Sequence, residues 1–140
     1  MKNRKIYIIP GEKVTSLEAF WKVIGESING PDGYFGGNFD AFNDCLGGGF
    51  GTPDNESYII RWENVKMSKQ ALGYKETLRY FERSFESIHE SWCEIRLKEI
   101  ELAKKERGKT IFGILIDIIT DADNVELQLV LSEKSLFNIH

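Results

Sequence analysis

Apolar residues recur along this chain at two spacings, and each spacing predicts an element. Residues 4–9, Arg-Lys-Ile-Tyr-Ile-Ile, combine β-branched and aromatic types and stop at Pro10 and Gly11, which predicts a buried strand. Leu17, Phe20, Trp21, Ile24 and Ile28 then come at helical spacing. Thr15 is the expected cap of that helix, with Glu18 closing a capping box. Residues 29–33, Asn-Gly-Pro-Asp-Gly, form a turn cluster. Asn38 stands where it can cap a short helix over 39–46, and Gly47, Gly48 and Gly49 end it. Residues 58–62 predict a second strand, and 64–71 another short helix.

The strongest periodic signal is Tyr74, Leu78, Phe81, Phe85, Ile88, Trp92 and Ile95, which step alternately by four and three. The helical pattern runs on to about residue 106. One unbroken helix of that length would extend ~50 Å, against a domain radius of ~14 Å. The stripe must therefore protrude or break, and Ser84, Ser87 and Ser91 mark the expected break between 84 and 91, with Ser87 to Glu90 as a second capping box. Residues 110–119 are the most apolar run and predict a central strand. After a turn at 120–124, Val125, Leu127, Leu129 and Leu131 alternate with Glu126 and Gln128, which predicts a half-buried strand antiparallel to the run before it. The order of elements predicts an α/β fold with parallel pairing and one antiparallel edge.

Length and composition narrow the class. A chain of 140 residues suits one domain, taken as 1–140. With 12% aromatic residues and a net charge of only −4, it has the content of a folded chain and not of a general nucleic-acid binder. No apolar run approaches the ~18–20 residues a membrane span needs. The basic start lacks an apolar signal-peptide core, so a cytoplasmic location is expected, and the two cysteines, Cys45 and Cys93, suit a reducing compartment. The charge is uneven. Residues 31–64 hold Asp32, Asp40, Asp44, Asp54, Glu56 and Glu63 against Arg61 alone, among Tyr34, Phe35, Phe39, Phe42 and Phe50. Composition leaves two readings open: a surface for a basic partner, or an acidic solvated face over an aromatic core.

Catalytic and metal-binding patterns are weak. The histidines are His89, on the long helical stretch, and His140, and neither pairs with a nucleophile. The two cysteines have no zinc spacing and read as inert thiols. Asp121, Asp123 and Glu126 lack the glycine and the further ligand of a calcium loop. Gly47 to Gly51 come after a helix and sit among acids, which argues against a phosphate cradle. No cofactor and no metal is expected. Asp40 and Asp44 remain: one turn apart on a short helix, with no lysine or arginine between residues 23 and 60. A two-carboxylate enzyme would need a pocket around them. A rigid display of negative charge for a cationic site on another molecule fits better.

The run Tyr34-Phe35-Gly36-Gly37-Asn38-Phe39-Asp40-Ala41-Phe42-Asn43-Asp44-Cys45-Leu46 closely resembles the signature of the barstar family, intracellular inhibitors of the secreted ribonuclease barnase. Residues 58–62 with Ser68, Lys69 and Gln70 resemble the family's second strand and the segment after it, and 5–17 its first strand and helix start. The resemblance covers about 4–82 and a third strand expected near 110–116. Apart from a helical insert at about 83–105 and a C-terminal extension at about 117–140 with an extra antiparallel strand, which are this chain's own additions, the resemblance implies a small parallel sheet packed on helices in two or three layers. It implies no enzyme, but a monomeric bacterial immunity or antitoxin protein that binds a basic ribonuclease, with neither nucleic acid nor membrane as partner. Asp44 would take the place of a substrate phosphate and Asp40 would meet a neighbouring basic group. Tyr34 would pack on the enzyme, Gly36 and Asn38 would shape the loop and helix start, and Gly48 would permit close backbone approach. Asn43 stands where the family usually has an aromatic, Phe50 comes after extra glycines, and Glu82 with Arg83 lies near the family's further acid. These departures leave a non-ribonuclease toxin or another basic protein as the alternative partner.

Overall fold

Three strands lie side by side in chain order: β1 (Ile6–Pro10), β2 (Tyr58–Glu63) and β3 (Val125–Leu129). All pair in parallel, with Ile6 opposite Ile59 and Tyr58 opposite Val125. They belong to a computed structural model that describes residues 4–131. His140 and the end of the expected C-terminal extension lie outside the described residues. Side chains alternate along β1: Tyr7 and Ile9 are buried, whereas Ile6 and Ile8 are 44% and 42% exposed. Among the described residues, helices therefore cover one face of the sheet, in a two-layered arrangement. The other face carries Arg61, hydrogen-bonded to Gln128, and Arg4, ion-paired with Glu126.

The helices are α1 (Leu17–Asn29), α2 (Phe39–Leu46), α3 (Val65–Ala71), α4 (Tyr74–Phe85), α5 (Cys93–Lys104) and α6 (Ile111–Asp121). Ser16, not Thr15, caps α1: its Oγ accepts from Ala19 N at 3.1 Å. Glu18 does not close a capping box but pairs with Arg79 at 2.7 Å. The core gathers Tyr7, Ile9, Phe20, Ile24, Phe35, Phe42, Leu46, Tyr58, Ile60, Trp62, Leu115 and Ile119.

The break expected in the long apolar stripe is present. Helix α4 stops at Phe85, a 3-10 turn spans Glu90–Trp92, and α5 packs back on α4 through Phe81, Ile100 and Ala103. The cap at the break is His89, whose Nδ1 accepts from Ser91 N at 3.1 Å, and not a box from Ser87.

Two expectations are corrected. Residues 110–119 are not a strand; they begin α6, capped by Thr110 Oγ1, which accepts from Gly113 N at 3.1 Å. Ile111, Leu115 and Ile119 are buried at four-residue spacing, and Phe112, Ile114, Ile116 and Ile118 pack partly against the same core. A helix in contact with α2, α4 and β3 has apolar residues on several sides, so its four-residue period is masked by the apolar residues between. The third strand is consequently β3. It reaches β2 through a long helical crossover, which brings it in parallel, so the fold has no antiparallel C-terminal strand among its described residues.

Helix α4 also holds the start of α1. The buried Glu76 accepts from Leu17 N at 2.8 Å and from Arg79 at 2.5 and 2.7 Å. Burial opposes ionisation of Glu76, but the hydrogen bonds from Arg79 and Leu17 and the charges of Arg79 and Arg83 outweigh it and lower its pKa. A lowered carboxyl pKa contributes stability above the unfolded value that is lost as pH falls through the folded one. Glu76→Gln is therefore expected to cost about 1–3 kcal/mol at neutral pH and to flatten the acid limb of the stability curve, as read by denaturant melts across pH.

Candidate site: an acidic helix between two anchored loops

Six of the eight residues of α2 divide by burial, and Phe39 and Ala41 are half-buried between them. Phe42, Cys45 and Leu46 face the core, and Asp40, Asn43 and Asp44 face solvent. Phe42 fixes the inward side, with ring centroids 5.5 Å from Phe20, 5.6 Å from Trp21 and 6.0 Å from Phe35. At the start of the helix Asn38 Oδ1 accepts from Ala41 N at 2.8 Å, the cap expected from sequence. At its end the Leu46 carbonyl accepts from the Tyr58 hydroxyl at 2.8 Å and from Asn124 Nδ2 at 2.9 Å. Burial pushes the Tyr58 phenol up to about 12, so it remains a donor throughout the physiological range. The helix is thus tied at both ends and along its inner face.

The chain beside α2 is held as tightly. Gly36 has φ +94°, and a Cβ there would lie 2.7 Å from both Cα and N of Phe42, so only glycine lets the loop pass this close to the helix. Gly48 has φ +113°, and its Cβ would come 2.8 Å from the Pro53 carbonyl. Tyr34 and Phe50 are 60% and 52% exposed. Their backbones meet at one atom: Asn29 Nδ2 donates to the Tyr34 carbonyl at 2.7 Å and to the Phe50 carbonyl at 2.8 Å. Tyr34, Gly36, Asn38, Asp40, Asn43, Asp44, Gly48 and Phe50 therefore all lie on α2 or on the loops that border it.

Among the described residues, the side chain of neither Asp40 nor Asp44 makes a hydrogen bond or an ion pair. Both carboxylates are exposed to solvent. The Cys45 thiol is raised by burial and then by Asp44, which leaves it a poor nucleophile. Among the described residues, no group of three or more His, Cys, Asp or Glu is placed to hold a metal ion. A groove of about 960 Å³ lies elsewhere, lined by Val65, Lys69, Tyr74, Phe112, Leu129 and Leu131. No helix of the described residues is long and apolar enough to cross a membrane.

Sequence reasoning missed three supports of the site: Asn29, Asn124 and the Tyr58 hydroxyl. Each acts on a backbone carbonyl brought near by the tertiary fold, so no local pattern announces it. Glu82, near the place of the family's further acid, is exposed on α4, whereas Glu76 is taken up in capping α1.

The family model described as Barstar (barnase inhibitor) matches residues 4–112, a span that takes in β1, β2, α2 and both loops and stops before β3. No curated protein matches the chain. With more than half of its length matched, the chain belongs to the barstar family.

Proposed function

We propose that this barstar-family chain inhibits a barnase-like ribonuclease by seating Asp40 and Asp44 in the enzyme's cationic cleft. The observation that carries the reading is the pair of exposed carboxylates on a helix anchored at both ends, with no cation of the described fold neutralising them. A nuclease active site must be cationic to hold RNA phosphates. A preformed array of acids meets that field without prior reorganisation, so it binds and blocks. Asp44, exposed on the outer side of α2, takes the phosphate's place, and Asp40 meets a neighbouring basic group. Tyr34 and Phe50 supply exposed aromatic area beside the acids. The chain performs no chemistry itself. An immunity or antitoxin role in a bacterial cytoplasm follows if the target is a toxin of the same cell or its relatives.

RNA cleavage by a barnase-like ribonuclease, titrated with the chain, tests the reading. Stoichiometric inhibition is expected, with an association rate that falls steeply as salt rises. Absence of inhibition against such enzymes overturns it. The exposed Asn43 and the glycine-lengthened loop before Phe50 favour a second reading, in which the same face binds a different basic toxin. That reading predicts inhibition of the toxin encoded beside the gene and none of RNA cleavage by barnase-like enzymes.

A further inference from the structure

We infer that Asn29 is a positioning residue that couples the loop before α2 to the loop after it, so that the two borders of the partner-binding face move as one. The part of this inference that concerns binding rests on the inhibitor reading above; the coupling itself does not.

The last turn of α1 is the platform for both loops. On one side, Asn29 Nδ2 donates to Tyr34 O at 2.7 Å, and Gly25 lies so close to Gly33 that a Cβ on Gly25 would stand 2.2 Å from the Gly33 carbonyl. On the other side, the same nitrogen donates to Phe50 O at 2.8 Å, and a Cβ on Gly51 would meet Asn29 Oδ1 at 2.0 Å. Both protons of one amide are thereby committed to carbonyls that flank α2 in sequence. The second loop has further ties, from the Tyr7 hydroxyl to Gly51 O at 3.3 Å and from Gly49 N to Thr52 O at 3.2 Å, but these do not reach the first loop. Among the described residues, Asn29 alone hydrogen-bonds with both loops through its side chain. Tyr34 and Phe50, the exposed aromatics of the face, are the residues whose carbonyls it holds. Asn29 itself is exposed and touches α2 nowhere by hydrogen bond, so its role is exerted through the loops.

Aspartate at this position is the informative substitution. A carboxylate is similar in shape to the amide but has no proton to donate, and it would set a negative charge against two carbonyl oxygens in a segment already acidic. Alanine merely removes the donors. The experiment compares Asn29→Ala, Asn29→Asp and Tyr7→Phe with the unaltered full chain, by amide hydrogen exchange of the free proteins and by dissociation rate from a barnase-like ribonuclease. Asn29→Ala is expected to speed exchange in both 33–37 and 47–52 by about tenfold, with the sheet amides unchanged. Asn29→Asp should exceed it in both segments. Tyr7→Phe should loosen 47–52 alone. Dissociation should accelerate in the order Ala, then Asp, while the melting temperature stays near that of the unaltered chain. Loosening of one loop only, or of neither, overturns the coupling. Loosening of both with unchanged dissociation overturns its bearing on the binding face. Should the unaltered chain fail to bind the ribonuclease, the inhibitor reading falls, and exchange alone still decides whether Asn29 couples the loops.

Discussion

Asp44→Ala is expected to weaken the complex with a barnase-like ribonuclease by about 3–5 kcal/mol, roughly a hundredfold to several thousandfold in Kd, while leaving the fold intact. The size follows from where the charge goes. In a cationic cleft the carboxylate leaves water and is compensated by charge-assisted hydrogen bonds; its removal strands the enzyme's cations in a dry interface. The free protein has no comparable loss to register. The Asp44 carboxylate is exposed and bonds to nothing in the described fold, so its truncation should move the melt by less than about 0.5 kcal/mol. The sign of that small change is itself informative. Asp40 and Asp44 repel across one turn, and Asp44 sits toward the negative end of the helix dipole, so alanine should stabilise slightly. Loss of affinity with a gain in stability marks a residue kept for its partner. Inhibition kinetics paired with denaturant melts would check both halves. An affinity within a factor of about five of the unaltered chain would remove Asp44 from the mechanism.

The acidic helix was legible in the sequence because its signals are local. An Asn cap, apolar positions at 42, 45 and 46, acids at 40 and 44 and a glycine stop lie within a dozen residues, and the fold uses each where the pattern puts it. What the pattern could not convey depends on contacts between distant segments. In residues 110–119 only Thr110 and Asp117 mark the polar side of the helix, too few to stand out against an apolar run on which α2, α4 and β3 all press. That single misreading carries the second one with it. A strand at 110–119 would make the next strand its hairpin partner, whereas a helix there makes β3 the end of a parallel crossover. The start of α1 illustrates the same limit at smaller scale. Thr15 and Ser16 are both competent caps, and Ser16 is used because the helix begins at Leu17, whose amide is taken by Glu76 from a helix 59 residues away. Asn29 falls among turn residues in the sequence, and only the folded chain shows both of its amide protons bridging two loops.

Phe42→Ala should produce the complementary result, a large loss of stability that drags affinity down with it. Phe42 is fully buried, and its ring meets Phe20, Trp21 and Phe35 edge-on at 5.5, 5.6 and 6.0 Å. Truncating a buried phenylalanine costs about 3–5 kcal/mol through lost transfer energy and the cavity left behind. Against a domain stability of about 5–15 kcal/mol, that brings the chain close to unfolding. The site cannot relax easily around the void. Gly36 already runs against the Phe42 backbone, and the Leu46 carbonyl is pinned by Tyr58 and Asn124, so α2 has little freedom to slide inward. Phe42→Leu keeps most of the volume and should cost about 1–2 kcal/mol, which keeps the comparison readable if the alanine variant does not fold. The leucine variant should still inhibit, since Asp40 and Asp44 remain in place, but with faster dissociation as the helix loosens beneath them. Urea melts give the stability term and stopped-flow dissociation the binding term. A Phe42→Ala loss below about 1 kcal/mol would mean that the aromatic cluster does not hold α2, and that the carboxylates take their geometry from the caps alone.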